Sequence, residues 1–178
     1  IASTTQHQSH NGMGNDVADF NNDGWADIFV ADMLPRSNEK RKRMAMNTGY
    51  DLFNGMLKMD YEPQYTRNSL QLNNGITLRA EDQKEQLSFS EFGQLAGVHA
   101  TDWSWACLLA DFDNDGWKDL LVTTGHLKDL TNMDFIAYRK KRMIFNTPEG
   151  RDSLYMELLQ LVNGIKEPNY LFKNNNDL

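Results

Sequence analysis

Apolar positions fall in short runs broken by tight turns, and two longer charged stretches interrupt them. "WSWACLLADF" (residues 103–112) is a short apolar run rich in aromatics and predicts a buried strand. "KDLLVTT" (118–124) predicts a second strand after a tight Asp-Gly turn. "NYLFKNN" (169–175) predicts a third, ending in an Asn-rich turn, and "LSFSEFG" (87–93), followed by "QLAGV", a fourth strand type. "SNEKRKRMAMN" (37–47) and "DFIAYRKKRMIFN" (134–146) have few breakers and read as helices. The clearest helix is "RDSLYMELLQLVNG" (151–164). Leu154, Leu158, Leu161 and Val162 share one face, Gly164 supplies a stop, and Pro168 prevents continuation.

These runs repeat. "ADFNNDGWADIFVADM" (18–33) returns as "ADFDNDGWKDLLVTTG" (110–125), an offset of 92 from Asp19 to Asp111. "RMAMNT" (43–48) matches "RMIFNT" (142–147) at 99, and "NSLQLNN" (68–74) matches "NYLFKNN" at 101. The order is kept while the offset grows through small insertions, which indicates duplication. The first unit then covers residues 1–96, with a helical insertion at about 36–67. The second covers 97–178, with its insertion at about 127–168, and stops before a counterpart of the fourth strand.

The repeated loop suggests a chemistry. Asp19, Asn21, Asp23 and Asp27 alternate along a tight turn, so their oxygens can converge on one centre. Gly24 permits the bend, and the carbonyl of Trp25 can turn inward as a further ligand. The second copy offers Asp111, Asp113, Asp115, the Trp117 carbonyl and Asp119, with Gly116 at the bend. Oxygen donors without soft ligands favour Ca2+ over zinc or magnesium, at two sites. The alternative is an Asp-Gly hairpin whose carboxylates face water, but several carboxylates within nine residues repel one another without a cation. An EF-hand would require Glu at the twelfth position, where Val30 and Val122 stand, and the flanking runs are β-like. Dockerin-type loops fail because the copies lie too far apart.

These two stretches, each followed by Asn-x-Leu-x-x-Asn-Asn, resemble the FG-GAP or VCBS repeats of integrin-type β-propellers. The longer form "TDWSWACLLADFDNDGWKDLLVTTGH" is similar to bacterial surface proteins of the ASPIC/UnbV-associated type. The resemblance implies a mainly β fold with helical insertions, built from antiparallel four-stranded β-propeller blades and forming an incomplete propeller in this chain. It implies one Ca2+ in the loop joining the first two strands of each blade, with Asp19, Asn21, Asp23 and Asp27 as ligands in one and Asp111, Asp113, Asp115 and Asp119 in the other. Asn21 stands where an Asp is common, so the first loop has one negative charge fewer. Strand alternation then sets the calcium loops and the insertions at opposite ends of each blade. The family's C-terminal ASPIC/UnbV segment is not evident. A propeller needs about 4–8 blades, so the remaining blades, or other protein chains of a surface complex, are the expected partners.

Charge and composition add three points. The net charge of −7 argues against a general nucleic-acid binder. Lys40, Arg41, Lys42 and Arg43 in the first insertion, and Arg139, Lys140, Lys141 and Arg142 in the second, hold eight of the eighteen Lys and Arg. They form either a patch for an anionic glycan, lipid head group or acidic partner, or a solvated helix face. Cys107 allows no intrachain disulfide and reads as a buried small hydrophobe. Trp25, Trp103, Trp105 and Trp117 could stack on sugar rings but read better as blade packing. His7, His10, His99 and His126 read as ordinary loop histidines, without the convergent spacing of a zinc site. No stretch reaches the roughly 18 apolar residues of a membrane span, and no signal peptide is visible. Ile1 in the first position suggests a processed or partial product.

No nucleophile elbow, P-loop or His-Glu-x-x-His pattern occurs, and a metal fully coordinated by protein oxygens leaves no open catalytic position. The expectation is a non-enzymatic calcium-binding propeller segment of a bacterial extracytoplasmic protein, at the cell surface, the outer membrane or in the periplasm. It would serve adhesion, glycan capture or surface-complex assembly. The alternatives are an accessory domain of a surface polysaccharide-degrading enzyme and a structural subunit of an outer-membrane assembly.

Overall fold

The computed structural model describes residues 2–5, 7–44, 49–78, 83–144, 148–162 and 164–176. The parts of the helix and repeat expectations that fall on 45–48 and 145–147 lie outside them. The chain is mainly β, built on antiparallel sheets with helices set between strands. In order, the elements are α1 (Ala2–Thr5), β1 (Gln8–Ser9), β2 (Gly14–Ala18), β3 (Asp27–Ala31), α2 (Asn38–Arg43), α3 (Tyr50–Lys58), β4 (Gln64–Tyr65), β5 (Ser69–Leu78), β6 (Glu85–Glu91), β7 (Ser104–Ala110), β8 (Asp119–Thr124), α4 (Met133–Ile144), α5 (Pro148–Leu161) and β9 (Tyr170–Phe172). They form two compact units. One is Ile1–Arg36, Thr48–Gly125 and Pro168–Leu178; the other is Ser37–Asn47 and His126–Glu167. The units cut across the repeat boundary, because the strands of both repeats fall in the first.

That first unit holds two antiparallel sheets, ordered β2-β3-β5-β6 and β7-β8-β9. They are the two repeats, strand for strand, with three strands in the second among the described residues. The pairs that close the first turn correspond, Ala18 with Asp27 and Ala110 with Asp119. So do the pairs onto the third strand, Phe29 with Leu70 and Leu121 with Leu171. The Asp-rich loops join β2 to β3 and β7 to β8. The insertions leave β3 and β8 from the other strand end, where Asn68 Oδ1 accepts from Asp32 N at 2.7 Å and Asn169 Oδ1 from Thr124 N at 3.0 Å. A short parallel pair, β1 with β4, stands apart from both sheets.

β2 and β3 pack against β7. At Gly14 the backbones are so close that a Cβ would lie 2.5 Å from the Trp105 carbonyl oxygen, which explains a residue without one. Asp16 crosses the same interface, its Oδ2 accepting from Leu109 N at 2.7 Å. Phe29, Leu70, Leu120 and Val122 are buried in one core that draws on both sheets. Each such side chain contributes about 1.5–3 kcal/mol by leaving water. The run at 103–112 is indeed a strand, but only half covered. Ser104 and Leu109 are buried, whereas Trp105, Leu108 and Phe112 are each nearly half exposed. Exposed Ala106 and Leu108 alternate with part-buried Cys107 and buried Leu109, and a register shift between Ser104 and Ala106 leaves Trp105 exposed beside them.

Cys107 is part-buried against the core, and its Sγ donates to the Phe29 carbonyl oxygen at 3.9 Å. Burial first, and the Asp16 carboxylate second, push its thiol up to about 11. The thiolate is the reactive form, so at pH 8 native Cys107 is expected to alkylate about a hundredfold more slowly than in urea. Iodoacetamide labelling followed by mass spectrometry checks this; equal rates would contradict it.

The second unit is helical. Ser37 caps α2 by accepting from Lys40 N at 3.1 Å. Bridges between Met44 and Asn132 and between Lys128 and Gly164 tie its segments together. Pro148 opens α5 at the position where a missing N–H costs least. Leu154, Leu158 and Val162 are buried as their spacing predicts, but Leu161 is 63% exposed. The covered arc is centred on Leu158, and Leu161 sits at its flank on the last helical residue. Leu158→Ala should therefore cost about 2–5 kcal/mol and Leu161→Ala under about 0.5 kcal/mol. Urea unfolding followed by far-UV circular dichroism measures both, and similar losses would refute this packing.

Among the described residues no helix is long and apolar enough to cross a membrane.

Candidate metal centres in the paired loops

The two loops adopt one conformation. Asn22 and Asn114 have φ of 56° and 66°, and Gly24 and Gly116 have φ of 90° and 92°. Asn tolerates the left-handed region better than most residues, and glycine reaches it without steric cost. The hydrogen bonds repeat as well. Asp19 accepts from Asp23 N at 3.1 Å and Gly24 N at 2.9 Å; Asp111 accepts from Asp115 N at 3.1 Å and Gly116 N at 2.8 Å. Asp23 accepts from Trp25 N at 2.8 Å, and Asp115 from Trp117 N at 3.0 Å. The first side chain of each loop thus folds the turn around itself.

In the second loop, oxygens of Asp111, Asp113 and Asp115 lie within 4.8 Å of one another. In the first, Asn21 takes the middle place. Its Nδ2 donates to Asp23 Oδ2 at 2.9 Å, while its Oδ1 accepts from Asp23 N at 3.2 Å. The donor set suits a hard cation: every side-chain donor is an Asp or Asn oxygen, with no sulfur or imidazole. The backbone bonds do not exhaust these groups, since each carboxylate oxygen keeps a second lone pair. The indole of Trp25 lies against Gly75, which a Cβ would meet at 3.4 Å. Trp117 lines a concave surface with Asp115, Lys173 and Asn174.

Asp27 and Asp119 stand outside the tight group and carry a structural load. Both are buried. Asp27 accepts from Phe20 N and Asn73 N, each at 2.8 Å; Asp119 accepts from Phe112 N at 3.2 Å and Asn174 N at 2.9 Å. Each carboxylate therefore clamps the start of its own loop to the third strand, at Asn73 within β5 and at Asn174 just past β9. Burial pushes the Asp27 carboxyl above the usual range; its backbone bonds oppose that, and the charges of Asp23 and Asp19 add to it.

Asn73 and Asn174 complete the clamp. Their Nδ2 atoms donate to the carbonyls of Ala26 at 3.1 Å and Lys118 at 3.2 Å, and their Oδ1 atoms accept from Gly75 N at 2.8 Å and Asn176 N at 3.0 Å. The repeated Asn-x-Leu-x-x-Asn-Asn signalled these residues, but not their role. The two loops also touch. Asn22 Nδ2 donates to the Gly116 carbonyl at 3.1 Å, and Asn174 Nδ2 to that of Phe20 at 3.0 Å.

One cation is already at the second loop. Lys173 Nζ donates to Asp113 Oδ2 and lies 3.3 Å from Asp115 Oδ2. The bond holds Asp113 below its usual carboxylate range and raises the Lys173 ammonium above its own.

Both basic runs belong to the second unit. Lys40 pairs with Glu167 at 2.8 Å, Arg43 with Glu39 at 3.0 Å, and Arg142 with Glu157 at 3.9 Å. Arg139 lies over the Phe135 and Tyr155 rings at 6.0 Å. Arg41 is half-buried, whereas Lys42, Lys140 and Lys141 are exposed. Neighbouring carboxylates thus offset part of the charge within the unit. The four histidines form no site with the Asp loops; His7 lies 3.5 Å from Glu91, and His10 Nδ1 3.1 Å from Gln64 Oε1.

No protein-family model, curated protein or solved structure matches the chain.

Proposed function

We propose that the chain is a calcium-stabilised, non-enzymatic pair of FG-GAP/VCBS-type β-propeller blades in a bacterial extracytoplasmic protein. Its work is adhesion, glycan capture or the assembly of a surface complex. The supporting observation is the loop pair: two nine-residue turns, 92 positions apart, with matching left-handed residues and matching backbone bonds around oxygen donors. Asp19, Asn21, Asp23, the Trp25 carbonyl and Asp27 would hold one ion. Asp111, Asp113, Asp115, the Trp117 carbonyl and Asp119 would hold the other. A bound Ca2+ supplies positive charge that relieves the repulsion among these carboxylates and staples the turn.

The chain's own residues do the rest. Asp19 and Asp111 shape the turns, and Asp27 and Asp119 anchor them to the sheets. Each sheet is ordered as successive antiparallel strands, and β2 and β3 of the first pack on β7 of the second, which supports the propeller reading. Calorimetric titration with CaCl2, against MgCl2, tests the site. Two calcium-selective binding events are expected, reduced to one by Asp19→Asn. No calcium binding at millimolar concentration would overturn the reading.

A further inference from the structure

The two loops differ at two positions, Asn21 against Asp113 and Ala26 against Lys118, and the first of these meets a difference in the third strand. Asp113 stands where the first loop has Asn21, and Lys173 stands where the first sheet has Leu72. The extra carboxylate and the extra ammonium are bonded to each other. Asp19, Asp23 and Asp27 carry three negative charges in the first loop; Asp111, Asp113, Asp115 and Asp119 carry four in the second, offset by Lys118 within the loop and by Lys173 beside it, so the second loop is the less negative of the two. Lys173 is also held in place. It directly follows β9, and the next residue, Asn174, is buried and fixed through its N–H to Asp119. Lys173 lines an open concavity of about 320 Å³ together with Asp115, Trp117 and Asn174.

We infer that Lys173 is a built-in counter-cation of the second loop, which a divalent ion must displace from Asp113 and Asp115, so that the first loop is the tighter calcium site. The inference rests on the calcium reading above. Carboxylate count alone gives the opposite order, because ligand charge ordinarily tightens a calcium loop. A lysine bonded to two of the ligands reverses it in two ways. Its ion pairs are given up on binding, and its charge, a few ångströms away, repels the incoming ion. Leu72, its counterpart in the first sheet, does neither.

The test is calcium calorimetry on the full chain in the Asp19→Asn background, where the second loop is read alone. Lys173→Leu places the first sheet's residue there and should tighten binding roughly fivefold or more. Lys173→Arg keeps the charge and should stay within about twofold of the parent. Unchanged or weaker binding in Lys173→Leu, or equal tightening in Lys173→Arg, overturns the counter-cation while leaving the calcium reading intact. Absence of calcium binding in the unmutated chain removes both.

Discussion

Asp27→Ala is expected to cost about 3–5 kcal/mol of folding stability with chelator present, and so to leave little folded protein at 37 °C. The figure follows from what the carboxylate holds. Asp27 is fully buried, and its two oxygens accept from Phe20 N and Asn73 N. Alanine leaves both donors without an acceptor, and each buried unsatisfied donor costs about 1–3 kcal/mol. Asp27→Asn keeps one acceptor and presents an amide to the other donor, so an intermediate loss of about 1–3 kcal/mol is expected.

The pH dependence adds a sign. The folded Asp27 carboxyl titrates above its ordinary value, chiefly through burial. Between the unfolded and folded pKa the folded protein therefore binds the extra proton, and its share of stability falls as pH rises through that window. Asp27→Asn should flatten that slope. Urea midpoints at several pH values, with chelator throughout, measure all of this. A change below about 0.5 kcal/mol in Asp27→Ala would show that the clamp is dispensable.

That clamp also marks how far the sequence could be read. The loops were legible because a tight turn is local: Asp19, Gly24 and their copies sit within a few residues of the groups they bind. Their strands followed from apolar runs, and the duplication from three ordered matches. Asn73 and Asn174 were visible as a repeated motif only. The carbonyls and N–H groups they serve belong partly to another strand, and no spacing rule points across that gap. Lys173 was missed for the same reason, since Asp113 lies 60 positions away. Exposure of Trp105 and Leu108 escaped because an apolar strand does not say which of its faces a second sheet covers. α3 and the β1–β4 pair were not foreseen. The basic runs at 40–43 and 139–142 were legible as charge, while Glu167 and Glu157, which share it, come from distant segments.

Removing calcium is expected to lower the melting temperature by about 6–12 °C from its value in 2 mM CaCl2. Binding that is confined to the folded state stabilises by RT ln(1 + [L]/Kd). Extracellular modules bind calcium at roughly 10⁻⁴–10⁻³ M. A Kd near 2 × 10⁻⁴ M gives about 1.4 kcal/mol per site, or about 3 kcal/mol for two. At this chain length 1 kcal/mol moves the midpoint by about 2–4 °C. The loops are suited to such a dependence because their exposed carboxylates repel one another in the apo state, while buried Asp27 and Asp119 keep both turns in place for the ion. Magnesium, which demands a smaller and more regular shell, should give under a third of the shift. Asp19→Asn and Asp111→Asn should each remove part of it, Asp19→Asn the larger part if Lys173 weakens the second loop. An unchanged melting temperature on adding EGTA would mean that the Asp-rich turns are held by their own backbone bonds, and that their carboxylates face water.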